Sequence, residues 1–154
     1  MRRRDREITD KSKMADILMR GQAMSLAFAG DPYVIPMNYG FAFDGERFTL
    51  YIHGAREGQK VDRMLSDPRV AFTVYTDNRV YGKGEQAAAY TSSFDSVCGE
   101  GVARLLEGEE KLRALKAIMA HYAPGREFVF DARTLEHTMA AEIAVTKISG
   151  KHHD

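Results

Sequence analysis

The sequence predicts a mainly β protein, in which a small antiparallel sheet is closed or partly closed into a barrel with helices packed outside it. Five or six segments have the alternation or composition of strands, and two or three others have apolar residues at helical spacing. No strand–helix–strand rhythm of a parallel sheet is present. The 154 residues are enough for a single domain with one core, so we treat 1–154 as one unit, with an N-terminal arm at 1–8 and a flexible tail at 150–154.

The composition excludes several classes of protein. Hydrophobic residues make up 44% of the chain and charged residues 29%, which is ordinary for a globular domain. Basic and acidic residues both number 22, so a nucleic-acid-binding surface is not expected beyond the short arginine-rich start. Cys98 is the only cysteine, which rules out an intrachain disulfide and a multi-thiolate zinc site. No apolar run approaches the ~18 residues of a membrane span, so we expect a cytoplasmic protein with no membrane contact.

The first predicted element is a helix over residues 9–21. Thr9 or Asp10 can accept hydrogen bonds from the first turn, and Gly21 is suited to end the helix. Its apolar face consists of Met14, Ile17 and Leu18.

Three strands are predicted next, over residues 22–29, 33–43 and 47–54. Gly-Asp and Asp-Gly turn signals separate them, which predicts a three-strand meander. Pro36 cannot donate a ladder hydrogen bond, so the middle strand must be interrupted or lie at an edge. In the third strand, Phe48, Leu50 and Ile52 alternate with Thr49, Tyr51 and His53.

The second half of the chain predicts two more helices and three more strands. A helix at 58–65 has Val61, Met64 and Leu65 at helical spacing and stops before Asp67-Pro68. A β-prone strand covers 69–76, residues 80–89 read as a loop, and a long strand covers 90–106, with bend or bulge positions at its two glycines, Gly99 and Gly101. Residues 108–124 form a clear helix, and 136–150 a final strand.

The segment "LYIHGAREGQK" carries the most specific chemistry. A strand ends at His53-Gly54, and a glycine-broken turn then leads into the helix that starts near Gly58. A helix N-terminus offers unpaired N–H groups, and Lys60 and Arg56 add positive charge beside it. Together these features predict a phosphate-binding corner; the alternative is an ordinary strand–turn–helix connection with solvated bases.

Two other stretches carry polar groups in unusual places. Pro36 and Asn38 interrupt an apolar strand, which either frees main-chain groups to face a ligand or simply kinks the strand with Asn38 bonded to nearby backbone. Ser92 and Ser93 lie in a strand where hydroxyl groups can bind a phosphate or line a solvated face. There is no Gly-x-Ser-x-Gly elbow, and no His-x-x-x-His pair indicates a metal site.

Three stretches, in this order, resemble one protein family. They are "RRRDREITD", "PYVIPMNYGFAFDGERFTLYIHGAREGQKVDRMLSDPRVAFTV" and "YTSSFDSVCGEGVARLLEGEEKLRALKAIMAHY". They resemble the pyridoxamine 5′-phosphate oxidase-like flavoproteins, and within them the nitroimidazole-resistance (Nim) proteins. The resemblance implies a six-stranded antiparallel split β-barrel of the FMN-binding type, which forms a homodimer with FMN at the subunit interface.

The same resemblance implies which residues serve the cofactor. One set would run along the isoalloxazine ring: Pro36, Met37, Asn38 and Tyr39. A second set would border the flavin, its ribityl chain and its phosphate: His53, Gly54, Ala55, Gly58 and Lys60. Ser92 and Ser93 would reach the same site from the partner subunit, and His53 would orient the substrate or protonate the product.

These implications predict an FMN-dependent reductase or oxidoreductase of small electron-poor molecules, with a nicotinamide as one electron donor. The C-terminal Trp and Arg-x-x-x-Arg-Leu pattern of true pyridoxamine phosphate oxidases is missing, so the vitamin reaction itself is not expected. One alternative is a flavin- or haem-binding storage protein without turnover, in which His53 or His121 is an axial ligand. A weaker one is a nucleic-acid-binding accessory factor that uses arginines 2–4.

Overall fold

The computed structural model describes residues 3–154, so Met1 and Arg2 of the predicted arm lie outside the described residues. The strands are β1 (Glu7–Ile8), β2 (Met24–Phe28), β3 (Val34–Met37), β4 (Gly40–Phe43), β5 (Phe48–Ala55), β6 (Arg69–Tyr81), β7 (Thr91–Leu106) and β8 (Thr138–His153). The α-helices are α1 (Lys11–Arg20), α2 (Gln59–Ser66), α3 (Gly108–Tyr122) and α4 (Ala132–His137).

The strands form one antiparallel sheet in the order β3-β2-β6-β7-β8-β5-β4, and β1 pairs with β8. This confirms the mainly β class with flanking helices. The described residues contain eight strands where six were predicted. The difference arises because the segment 33–43 divides into β3 and β4, and because β1 is an additional short strand.

The break between β3 and β4 changes the predicted meander. Each predicted pairing is found, since β3 pairs with β2 and β4 pairs with β5. However, β3 and β4 lie at opposite ends of the sheet order, so the three strands do not form one continuous meander. The expectation of an edge-like, interrupted strand around Pro36 is confirmed, because β3 is an edge strand and ends at Met37.

The hairpin of β6 and β7 extends further than the sequence indicated. Val80 and Tyr81, which we predicted as loop, pair with Ser92 and Thr91. The ladder resumes at Arg79 after a register shift that follows Thr76. A second register shift lies between Glu100 and Gly101, but its extra residue is Thr146 of β8, so the bulge is in the strand that pairs with β7 and not in β7 itself.

The C-terminal end was also predicted incorrectly. Residues 150–153, expected to be a flexible tail, continue β8 and pair with β7, with His153 opposite Phe94. Lys151 pairs in addition with Glu7 of β1, so the described end of the N-terminal arm is part of the sheet. The sequence prediction also missed α4, which lies immediately before β8.

The helices pack on two hydrophobic clusters. The larger one joins the apolar faces of α1 and α2 to the alternating residues of the strands, including Phe48, Leu50 and Ile52 of β5. The smaller one joins α3 to the other side of β5 and to β8, through residues such as Leu115 and Ile118. Leu65 is 68% exposed, so it lies outside the buried face of α2 that Val61 and Met64 form.

The helix ends follow from local chemistry. The Asp10 carboxylate accepts a hydrogen bond of 2.8 Å from the Ser12 N–H and caps α1, and Gly21 ends that helix as predicted. No helix in the described part of the chain combines the length and the apolar character that crossing a bilayer requires.

Candidate functional site

The site is built around the last residues of β5, where the alternation of the strand separates two faces. Ile52 points into the main core, and Gly54, two residues later, lies on the same face of the strand. His53 lies on the opposite face, toward α3. The end of β5 therefore offers a backbone surface without a side chain on one side and an imidazole on the other.

Gly54 is necessary because the Lys60 side chain folds over it. A methyl group built on Gly54 would overlap the Lys60 ammonium, and Met139 is the next side chain within reach. Any residue with a Cβ would push the ammonium away from the end of β5. Glycine at this position therefore determines where the cation of α2 is held.

The Lys60 ammonium has no hydrogen bond or ion pair with any side chain in residues 3–154. Its side chain is half-buried, and this desolvation lowers the pKa of Lys60 below its ordinary value. A partly desolvated cation with no carboxylate partner is electrostatically costly. An anion at this position would relieve that cost.

The N-terminus of α2 adds a second anion-binding feature. Gly58 caps the helix with φ of 109° and ψ of 173°, a region that is essentially reserved for glycine, and no side chain caps the first turn. The Val61 and Asp62 N–H groups donate to the Gly58 carbonyl, whereas those of Gln59 and Lys60 come too early in the helix to have an acceptor within it. Free amide groups and the Lys60 charge thus share one corner.

Arg56, the other base predicted for this corner, is held elsewhere. Its guanidinium donates to the Glu107 carboxylate at 2.6 Å and to the Glu136 carbonyl at 2.9 Å. Both partners lie toward α3 and α4, away from the first turn of α2. Of the two predicted bases, only Lys60 therefore contributes positive charge to this corner.

His53 lines a small cavity on the opposite side of β5. Partial desolvation of the ring lowers the pKa of His53, and the positive charge of Lys60 lowers it further. The imidazole is therefore neutral at neutral pH. No hydrogen bond from either ring nitrogen to another described residue is present, so both nitrogens remain available to a ligand.

A tyrosine that the sequence did not single out holds the strand break at residues 38 and 39. The Tyr122 hydroxyl donates to the Gln22 carbonyl and accepts from the Asn38 side-chain amide at 3.1 Å and from the Tyr39 N–H at 3.2 Å. The Asn38 amide also donates to the Gln22 carbonyl at 3.2 Å. Asn38 is thus bonded to nearby backbone, which is one of the two predicted alternatives. The Tyr122 hydroxyl also connects the strand break at residues 38 and 39 to the end of α3.

The four residues predicted to run along a flavin ring differ in accessibility. Pro36 and Asn38 are exposed, and Met37 is buried with 8% exposure. Tyr39 is fully buried, and its hydroxyl donates to the Leu18 carbonyl at 2.6 Å. The Tyr39 side chain is therefore a core residue. Its N–H is occupied as well, because it donates to Tyr122.

Ser92 and Ser93 lie far from His53 within one chain. Ser93 adjoins Phe94, which pairs with His153, whereas His53 pairs with Ala140. Thirteen residues of β8 separate Ala140 from His153, which corresponds to roughly 40 Å along the strand. The structure therefore does not bring the serines of a chain to its own His53 and Lys60.

His121 is unsuited to bind a ligand in this conformation. Its Nε2 is 2.8 Å from the Gly21 carbonyl, and its Nδ1 is buried without a hydrogen-bond partner among residues 3–154. The ring also packs at 4.9 Å from the Tyr39 ring. Coordination of a haem iron by His121 would require breaking this packing, so the predicted alternative in which His121 is the axial haem ligand is not supported.

The comparison with protein families decides the relationship of the chain. A family model described as pyridoxamine 5′-phosphate oxidase matches residues 10–152. The chain belongs to this family. The resemblance inferred from the sequence motifs is thereby confirmed over nearly the full length described. No curated protein sequence matches the chain.

Several solved structures are similar in fold to this chain. A candidate 5-nitroimidazole antibiotic resistance protein from Bacteroides thetaiotaomicron is 27% identical, with a TM-score of 0.81 over 95% of this chain and 86% of that one. An FAD- and haem-binding protein from Mycobacterium smegmatis is 20% identical, with a TM-score of 0.81 over 97% and 74%. An FAD-binding protein from Mesorhizobium loti is 21% identical, with a TM-score of 0.66 over 97% and 98%. The last two likenesses concern the fold alone.

Proposed function

We propose that this protein is an FMN-dependent oxidoreductase that acts as a homodimer on small electron-poor molecules. The observation that carries the proposal is the Lys60 ammonium, which is partly desolvated, has no carboxylate partner and lies over Gly54 beside the uncapped start of α2. Membership of the pyridoxamine 5′-phosphate oxidase family supports a flavin as the molecule whose anionic group binds Lys60.

The residues present fit a terminal phosphate. A phosphate oxygen at the corner can accept from the Lys60 ammonium and from the free amides of Gln59 and Lys60, and the helix dipole favours its negative charge. Gly54 and Gly58 let the phosphate approach the backbone closely. A charge-assisted hydrogen bond of this kind contributes roughly 1.5–3 kcal/mol.

A single phosphate suits this corner better than a diphosphate. A dinucleotide tail would bring a second phosphate group, and Arg56, the nearest other base in sequence, is already paired with Glu107. This supports FMN over FAD. It also makes Lys60 the main determinant of the affinity for the phosphate.

The sheet topology supports a split barrel. The two edge strands are consecutive in the chain, and only three Cα steps of about 3.8 Å separate Met37 from Gly40, so the end of β3 and the start of β4 lie within about 11 Å of each other. The sheet must curl for its first and last strands to approach in this way. This connection supports the closed or partly closed barrel that we propose.

A second copy of the chain supplies the other wall of the proposed site. Because Ser92 and Ser93 lie roughly 40 Å along β8 from the position opposite His53, they can border the same ligand only if they come from a partner. Exposed apolar residues on the same hairpin, Val80 and Tyr81, are consistent with burial against another subunit. The flavin would then lie between the two chains.

Different residues of the chain would have different roles at such a site. A bound flavin supplies hydride and electron transfer between a donor such as a nicotinamide and the substrate. The strand break at Met37 and Asn38, fixed by Tyr122, holds main-chain groups beside the ring. His53 is neutral, because its pKa is lowered, and can donate one hydrogen bond that orients the substrate.

The visible absorption spectrum of the purified protein tests this function, together with an FMN titration followed by the quenching of flavin fluorescence. We expect flavin absorption, or saturable uptake of FMN by protein stripped of cofactor, with one FMN per chain. A colourless protein that takes up no FMN would refute the proposal. Oxidation of a nicotinamide in the presence of quinones or nitroaromatics would then identify the substrate.

Haem binding is the second candidate function, and His53 is the residue that favours it. Both of its ring nitrogens are free of protein hydrogen bonds among the described residues, and its lowered pKa keeps the ring neutral, as an iron ligand must be. The structural likeness to an FAD- and haem-binding protein suits this alternative. A Soret band that disappears in His53→Ala, in place of flavin absorption, would establish it.

A further inference from the structure

A bulge in β6 divides the β6–β7 hairpin into two parts. The ladder is regular up to the pair of Thr76 with Asp95, and it then shifts register before it resumes, with one extra residue in β6. Asp77 lies in this bulge with a φ of 56°, in the left-handed region that aspartate adopts more readily than most residues. Residues 79–93 lie beyond the bulge, and we call them the distal hairpin.

The distal hairpin has little support from the rest of the sheet. The pairing of β6 with β2 ends at Val74, and that of β7 with β8 ends at Phe94, so beyond the bulge the two strands pair only with each other. A hairpin of two strands is marginally stable by itself. No residue from 77 to 93 is buried. The direction and the order of the distal hairpin therefore depend on the contacts at its base.

Arg20, the last residue of α1, joins both strands at this base. Its guanidinium donates to the Asp77 carboxylate of β6 and, at 2.7 Å, to the Asp95 carboxylate of β7. The Thr76 hydroxyl also donates to Asp77, at 2.7 Å. The Asp95 side chain is only 15% exposed, so water competes little for its oxygens. One guanidinium thus fixes the bulge of β6 to the facing position of β7.

His152 extends the same set of contacts to β8. Its Nδ1 is 2.6 Å from a carboxylate oxygen of Asp95, and its Nε2 is 2.7 Å from a carboxylate oxygen of Asp154. A neutral imidazole has one N–H and can donate to only one of these carboxylates, whereas the protonated ring donates to both. The two contacts therefore require the positively charged ring. The hydrogen bond with Asp95 accordingly raises the pKa of His152 above its ordinary value of 6.5.

His152 is the group of this cluster that changes charge near neutral pH. Five further charged side chains, from the N-terminal segment and α1, share a groove with it and with Arg20: Asp5, Arg6, Glu7, Lys13 and Asp16. Histidine is the only residue type among them whose ordinary pKa lies near neutrality. Burial opposes the ionisation of Asp95, but the hydrogen bonds from Arg20 and His152 outweigh it and lower the pKa of Asp95. Asp95 therefore remains a carboxylate while His152 gains or loses its proton.

We propose that Arg20, Asp95 and the positively charged ring of His152 position the distal hairpin, and that loss of the His152 proton loosens it. The consequence for the coenzyme rests on the proposed function, in which Ser92 and Ser93 border the flavin of a partner chain. A loosened distal hairpin would then bind FMN more weakly. The positioning itself does not depend on flavin, because all of its contacts lie within one chain.

Hydrogen exchange followed by mass spectrometry, on protein without FMN, tests the positioning. His152→Gln keeps a side chain that can donate one hydrogen bond but cannot become charged. Below pH 6.5, the amides of residues 79–93 should exchange roughly 1.4- to 5-fold faster in this variant than in the native protein at the same pH, which is the effect of a partly exposed ion pair. The ratio should fall toward one as pH rises through the raised pKa of His152.

Two more variants make this test specific. His137→Gln, at an exposed histidine of α4, is a matched control whose exchange should equal that of the native protein at every pH. Arg20→Gln should speed the exchange of the distal hairpin at every pH, because its contacts with both strands are lost. It keeps the test decisive if His152→Gln disturbs the end of β8, and native exchange rates in Arg20→Gln would contradict the positioning.

The pH profile distinguishes the charge of His152 from a structural role of its ring. Equal exchange of the native protein and His152→Gln below pH 6.5 would overturn the proposal. Exchange that is faster in the variant by the same factor at every pH would overturn it as well, because the effect would then come from the shape of the ring and not from its proton.

Titration of the same proteins with FMN separates this inference from the flavin function. The ratio of the dissociation constants of His152→Gln and the native protein, in which the titration of FMN itself cancels, should exceed one below pH 6.5 and approach one above the raised pKa. Exchange that depends on His152, without any uptake of FMN, would support the positioning and refute the flavoprotein assignment. Uptake of FMN with exchange that is independent of His152 would refute the positioning alone.

Discussion

Replacing Lys60 by methionine is the most informative perturbation of the site. Methionine keeps much of the length of the side chain and removes its charge. We expect Lys60→Met to weaken FMN binding and to leave the fold intact, because Lys60 has no ion pair with the described residues and only its desolvated ammonium is lost.

The magnitude follows from the environment of the ammonium. A charge-assisted hydrogen bond to a phosphate contributes roughly 1.5–3 kcal/mol. Since each 1.4 kcal/mol is about a factor of ten, the dissociation constant for FMN should rise by roughly 10- to 150-fold. Riboflavin has no phosphate, so its affinity should be nearly the same in both proteins.

The same substitution should stabilise the protein without flavin. The folded pKa of Lys60 is lower than its unfolded value because desolvation disfavours the charged form, so the folded state binds fewer protons and gains stability as pH rises through these pKa values. At neutral pH the cost of the buried charge is fully present. Lys60→Met should therefore have a higher Tm at neutral pH, and the difference should vanish above the ordinary lysine pKa of 10.5.

Fluorescence titration with FMN and with riboflavin, and thermal unfolding at several pH values, measure these effects. Lys83→Met is a matched control, because Lys83 is exposed in the loop between β6 and β7 and should alter neither quantity. Equal FMN affinities of the native protein and Lys60→Met would refute the reasoning. An equal loss of riboflavin affinity would show that the substitution acts on the ring and not on the phosphate.

Two further predictions concern the supports of the site, and a third concerns the C-terminal end of β8. Gly54→Ala should lower the affinity for FMN while leaving the unfolding temperature nearly unchanged, because the new methyl group displaces only the flexible end of Lys60; a large loss of stability would contradict this. Tyr122→Phe should lower the free energy of unfolding in urea by about 1–3 kcal/mol, because three hydrogen bonds at the strand break lose their common hydroxyl, and an unchanged value would mean that they add nothing. The hydrogen bond to Asp95 raises the pKa of His152, so its stabilisation is complete below the unfolded pKa near 6.5 and is lost as pH rises through the raised folded pKa. The Tm difference between the native protein and His152→Ala should accordingly be largest below the unfolded pKa near 6.5 and shrink as pH rises through the raised folded pKa, and a constant difference would exclude this role.

Local patterns in the sequence were sufficient for much of the fold and for the placement of Gly54, Gly58 and Lys60 at one corner. The alternation from Phe48 to Ile52 identified the buried face of β5, and it also placed Gly54 on one side and His53 on the other. Gly58 and the helical spacing after it identified α2 and the position of Lys60 near its start. Each of these features depends on neighbours within a few residues.

The errors concern contacts between segments that are distant in sequence. Nothing near Met37 indicates that the two halves of one predicted strand pair at opposite ends of the sheet. The last residues of β8 are polar, and their order comes from pairing with β7 and β1. Tyr122 reads as an ordinary residue at the end of α3, because its role at Asn38 exists only once the chain has folded.

One missed element did have a local signal. Asp131 is a good N-cap, and its carboxylate accepts from the Thr134 N–H three residues later. The helix that follows has only six residues and no buried side chain, so no apolar stripe marks it. Hydrophobic periodicity therefore did not reveal α4, which forms a wall of the cavity beside His53, although the N-cap residue of α4 was recognisable in the sequence.

The structure of the protein crystallised with FMN tests the central claim most directly. The account predicts the phosphate within hydrogen-bonding distance of the Lys60 ammonium and the first amides of α2, and the flavin ring bordered by Ser92 and Ser93 of a second chain. A phosphate bound away from Lys60, or a flavin enclosed by one chain alone, would contradict it.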